Sequence, residues 1–139
     1  MTRLTFSGHI NEHSDFSQAG ALSGRVVFDL EQVQRVNSSG VLLWVRFLQG
    51  LTDLEELVFV RCSMAIVVQM NLMPEFMGTA RVDSFFAPYV CERTGESDLR
   101  LLQVAELDDL MLPPTYEGED GVYELDDLPD RYFAFLLAV

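Results

Sequence analysis

The chain of 139 residues contains no lysine, and all nine of its basic residues are arginine. That absence excludes chemistry running through a lysine Schiff base or a phosphate-loop lysine. Cysteine is scarce as well: Cys62 and Cys91 are too few for a disulfide scaffold. Positive charge is outnumbered by 22 acidic residues, leaving a net charge of −13 at pH 7. Nucleic-acid binding is driven by basic side chains that displace phosphate counterions, and adhesion to anionic lipid needs the same sign of charge. The balance argues against both. No uninterrupted apolar run reaches the roughly 18 residues of a membrane span, and the N-terminal MTRLTFSGHI has no signal-peptide core. Together these absences predict a cytoplasmic protein without membrane insertion.

What is present suffices for a folded core. Hydrophobic residues make up 49% of the chain and mean hydropathy is +0.16. A chain of this length buries roughly two-thirds of its unfolded surface without needing staples or metals. Charge is uneven along it. Residues 1–91 hold nine acids and six arginines, whereas residues 92–139 hold 13 acids and three arginines. This shift predicts a domain over residues 1–90 and an acidic C-terminal extension over 91–139.

Within the first part, Leu4 to Ile10 alternates apolar and polar side chains as a half-buried strand does. A short helix is expected between Asp15 and Ser23. Arg25 to Leu30 reads as a buried strand, and Glu31 to Asn37 as a turn. From Ser38-Ser39-Gly40 to Gly50 the length and end signals predict a buried helix, with either serine as its cap and Gly40 letting the chain turn. Its apolar stripe is expected to hold Val41, Leu42, Val45 and Leu48, widened by Trp44 and Phe47, with Arg46 and Gln49 outside. Leu54 to Arg61 reads as a strand. Met64 to Met73 reads as a helix capped by Ser63 and interrupted by Pro74, and Arg81 to Val90 as one closing strand with Pro88 at an edge or exit. The alternation predicts an α/β fold with right-handed crossovers. Beyond Cys91, a polar turn, a strand near Leu99 to Leu107, a loop and one helix over Asp126 to Leu136 are expected. The terminal apolar cluster of Phe133, Phe135 and Leu136 reads as docking onto the domain itself or as an anchor for a partner.

One loop stands out. Phe28-Asp29-Leu30, then Val36-Asn37-Ser38-Ser39-Gly40-Val41, then an apolar helix and a second strand–helix–strand, resembles a STAS domain, the domain of bacterial anti-sigma factor antagonists. The resemblance covers roughly residues 4–90. It implies a mixed four- to five-stranded sheet flanked by helices, no catalysis, and a regulatory protein partner bound near the loop Asn37, Ser38, Ser39 and Gly40. In the phosphoregulated members a kinase-like anti-sigma factor phosphorylates a serine in a D-S-S-G or D-S-x-G loop. The first serine of that motif aligns with Ser38, and Ser39 is the second candidate. This chain departs from the pattern at Asn37, where asparagine keeps the size of the usual aspartate but not its charge.

A second similarity lies in Ala87 to Gly95, which is similar to the C-x-x-C-G knuckle of zinc-ribbon appendages. Thr94 stands at the second cysteine position and no cysteine follows, so a hairpin without metal is expected. The fold class expected is therefore α/β and STAS-like, with a small C-terminal hairpin and helix extension. His9 and His13 read as loop histidines rather than a metal pair, and Glu117, Glu119, Asp120, Glu124, Asp126 and Asp127 as a solvated charged segment. No nucleophile–base pair, phosphate-cradling glycine loop or cofactor motif is visible. The leading reading is a non-enzymatic signalling module. The other is a structural, assembly or transporter-accessory subunit acting by homo- or hetero-oligomerisation.

Overall fold

The computed structural model describes residues 1–137. Four strands, β1 (Thr2–Ile10), β2 (Gly24–Val36), β3 (Leu54–Val60) and β4 (Arg81–Val82), form a wholly parallel sheet in chain order. Parallel neighbours need crossovers of one hand, and sequential order then sends every crossover over the same face. Those crossovers are a 3₁₀ turn at Phe16–Ala19, helix α1 (Ser38–Gln49), and helix α2 (Met64–Leu72) followed by a 3₁₀ turn at Pro74–Phe76. No helix among the described residues is long and apolar enough to cross a membrane.

The covered face carries a row in register, Leu4, Phe28, Phe59 and Val82, one residue from each strand. Trp44 of α1 lies over it, fully buried, with ring centroids 5.3 Å from Phe6, 5.8 Å from Phe28 and 6.0 Å from Phe59. Its indole N–H donates to the Phe76 carbonyl at 2.9 Å, so a buried polar group is satisfied by the turn that ends the next crossover. On the opposite face the two central strands are also buried, at Val27 and Val58, while the edge strands are exposed at Arg3 and Arg81. There the adjacent row reads Arg3, Val27, Val58 and Arg81. Arg3 pairs with Asp29 at 2.9 Å, and Arg81 with Glu56 at 3.5 Å.

α1 forms where expected, but its buried ridge is Gly40, Trp44 and Leu48, spaced i, i+4, i+8. Leu42, placed in the expected stripe, is instead 51% exposed. Arg46 and Gln49 are exposed as predicted. The turn expected at Glu31 to Asn37 is corrected too, since β2 runs on to Val36. Its register with β1 shifts at two points where β2 supplies the extra residue, and such bulges break the alternation by which a strand is read. The weak helix expected between Asp15 and Ser23 is only the 3₁₀ turn at Phe16–Ala19.

The strand expected over Arg81 to Val90 is two strands in two sheets. The chain leaves the parallel sheet at Asp83, whose N–H donates to the Phe59 carbonyl, and β5 (Ser84–Cys91) opens a second sheet. This sheet is antiparallel, in the order β6 (Ser97–Gln103), β5, β8 (Gly121–Leu125), β7 (Tyr116–Gly118). The architecture is thus α/β, while the single mixed sheet of four to five strands is replaced by one parallel and one antiparallel sheet of four strands each. The division expected at residues 90/91 falls at the end of β5, seven residues after the change of sheet begins at Ser84. Pro88 is tolerated inside β5. Its carbonyl accepts from Asp126 N–H just past the end of β8, so its ring nitrogen faces a position where no strand asks for a donor.

The terminal helix expected from Asp126 is two short helices, α3 (Pro129–Tyr132) and α4 (Ala134–Leu137). Phe133 and Phe135 are buried with ring centroids 5.8 and 5.1 Å from Phe85. Asn71 of α2 clamps both helices, donating to the Tyr132 carbonyl at 3.0 Å and accepting from Phe135 N–H at 2.8 Å. Phe133 and Phe135 therefore dock on their own domain, the first of the two readings of the terminal cluster.

Replacing Trp44 with alanine removes the largest buried side chain and orphans the Phe76 carbonyl. The expected loss is about 3–5 kcal/mol in denaturant unfolding, and an unshifted midpoint would contradict the packing described.

Candidate functional site

The site builds on the junction between β2 and α1. Asn37 has extended backbone angles (φ −102°, ψ 173°) and is the residue that caps the helix: its Oδ1 accepts from Gly40 N–H at 2.8 Å. This corrects the expectation that Ser38 or Ser39 caps. Both serines lie in the first turn with their side chains exposed. Among the described residues neither hydroxyl has a hydrogen-bonded histidine or acid.

Gly40 is not a turn glycine either. It is buried and helical, and a Cβ there would meet the Ile10 carbonyl oxygen at 2.1 Å. Asn37 N–H also donates to that carbonyl, at 3.0 Å. Glycine at 40 is therefore required by the close approach of helix and strand, and the pair of contacts fixes the serine-bearing turn against the end of β1.

The second half of the Asn37 side chain reaches a residue that sequence reasoning missed. Its Nδ2 donates to Glu12 Oε2 at 2.9 Å. That bond, with smaller help from the Glu12 backbone N–H and His13, holds the Glu12 carboxyl below its ordinary pKa. His13 Nε2 lies 3.6 Å from the other Glu12 oxygen. Asn37 and Glu12 are 25 residues apart, and only the parallel pairing of β1 and β2 brings their ends together. No spacing in the sequence announces it.

Other candidates separate. His9 and His13 both line an open groove of about 490 Å³ along the outer side of β1, with Phe6 and Phe16. Among the described residues no three His, Cys, Asp or Glu side chains converge as a metal site. The knuckle-like segment is a hairpin between β5 and β6, with Gly95 in the left-handed region (φ 74°). Cys91 is buried, its thiol lowered mainly by a hydrogen bond with Thr94, and Cys62 is a separate buried thiol raised by burial. Comparison with protein-family models, curated proteins and solved structures finds no match.

Asn37→Ala removes both bonds. The lost cap is expected to cost about 1 kcal/mol of stability, and NMR titration should find the Glu12 pKa moved upward, toward its ordinary value. Because the folded-state value is depressed, the contribution of Glu12 in the parent protein is present above its unfolded pKa and is lost as pH falls through the folded one. An unchanged Glu12 titration in the variant would refute the assignment.

Proposed function

We propose that the chain is a non-enzymatic, STAS-like signalling module of the cytoplasm. In this reading it binds a regulatory protein, such as a kinase-like anti-sigma factor, through Asn37, Ser38, Ser39 and the exposed side of α1. The observation that supports it is the pair of exposed serines on the first turn of a helix whose start is held rigid by Asn37 and Gly40. Order of elements and the N-S-S-G loop are the features that favour the STAS-like assignment.

A phosphate on Ser38 would bring nearly two negative charges to the positive end of α1, where the helix dipole and free N–H groups receive it. The isolated domain tolerates that change. A partner seated tightly on the same turn does not, because an unpaired dianion buried at an interface is costly. Asn37 replaces the usual acidic residue and so leaves less negative charge beside the phosphoacceptor before modification.

Affinity capture of the full chain from its native cells identifies the partner, and titration then compares variants. Ser38→Asp is expected to keep the parent melting curve and weaken binding about tenfold, or about 1.4 kcal/mol. Ser38→Ala is expected to bind like the parent. Full-strength binding by the Asp variant reduces the loop to a helix start with no switching role.

A further inference from the structure

Four strands end the two sheets, and three of them are blunted. β4 is two residues long and β7 three. β6 carries Asp98 and Arg100 along its length. Short and charged edges of this kind discourage pairing with another chain. β1 differs. It is nine residues long, contains no proline or acid, and carries one arginine at its beginning. Among the described residues its stretch Arg3 to Ser7 pairs only with β2, leaving the outer backbone N–H and C=O groups of that stretch without a backbone partner.

Beside that edge runs the groove of about 490 Å³ floored by Phe6 and Phe16. Leu4 and Phe6 are half-buried on the covered side of the sheet, while Thr5 and Ser7 are exposed on the other. The edge therefore offers a backbone template together with room for apolar side chains on one face only.

We infer that β1 pairs antiparallel with β1 of a second copy of this chain, centred on Thr5, to give one continuous eight-stranded sheet. The occupant is a second copy because the stretch is complementary to itself in this register. Thr5 lies opposite Thr5, Leu4 opposite Phe6 and Arg3 opposite Ser7, so apolar meets apolar on the covered face, while on the other face hydroxyl meets hydroxyl at the centre and guanidinium meets hydroxyl on either side. Charge points the same way. The chain is strongly acidic overall, yet Arg3 to Ser7 holds no acid, and Arg3 neutralises the nearby Asp29 at 2.9 Å. The more acidic second sheet joins at the opposite side of the parallel sheet, where Cys62, just after β3, bridges to Phe85. Two copies thus meet along a stretch that itself holds no acid, although Asp15 lines the groove beside it. The two-fold pairing uses both free edges and so closes at the dimer. This inference is independent of the role proposed for Ser38.

The test uses the purified full chain in sedimentation equilibrium up to millimolar concentration. The expected result is a reversible species of twice the chain mass of 15.7 kDa. Thr5→Lys sets two like charges directly opposite each other and should weaken dimerisation about tenfold or more, with an unchanged melting curve of the monomer. Thr5→Cys, treated with oxidised glutathione, should give a disulfide-linked dimer, since directly opposed residues bring their Cβ atoms within about 5 Å. Ser7→Cys, opposed by Arg3, should not. The native Cys62 and Cys91 are buried and do not compete. A monomer at every concentration, assembly beyond the dimer, a dimer indifferent to Thr5→Lys, or no cross-link through Thr5→Cys would each overturn the proposal.

Discussion

The parallel layer is organised by one buried indole. Trp44 touches rings contributed by β1, the turn after it, β2, β3 and the turn after α2, and its single polar atom is spent on the last of these. Each crossover thus contributes a group to one contact set, which makes the sheet, α1 and the Pro74–Phe76 turn interdependent. A phenylalanine at this position could fill much of the space yet could not satisfy the Phe76 carbonyl.

That organisation also determines how the candidate site is presented. Because Trp44 pins the middle of α1 to the sheet, the beginning of the helix is driven onto the end of β1, and only glycine at 40 fits there. Asn37 then joins three segments: the helix through Gly40, the strand through Ile10, and the following turn through Glu12. The exposed serines sit on a platform with little freedom to move. A partner binding such a surface loses little conformational entropy in ordering it.

Much of this fold was legible because hydrophobic periodicity reports local structure. The strands near residues 4–10 and 54–61 and the helices near 38–50 and 64–73 all appear close to their expected limits, with Ser63 accepting from Ile66 N–H as its cap. The failures share a cause. The extension of β2 rests on bulges against β1, the break at Asp83 on a change of sheet, and the choice of Asn37 over Ser38 on where the helix end meets Ile10. Each is decided by a distant segment, while locally the alternatives look equivalent: three cap-forming residues in succession, or one unbroken apolar run from Phe85 onward. Leu42 was misplaced for a related reason, since the ridge facing the sheet follows Gly40 rather than the most apolar stripe.

The order of strands has a consequence for synthesis on the ribosome. The parallel layer is laid down in the sequence in which its strands emerge, and its contact set around Trp44 is complete once Phe76 has appeared. β5 is different, because the rings that cover Phe85 come from Phe133 and Phe135. With elongation at roughly 5–20 residues per second, the roughly fifty residues between them leave an apolar strand uncovered for about 2–10 seconds. During that interval the nascent chain displays a finished N-terminal layer beside an unfinished sheet.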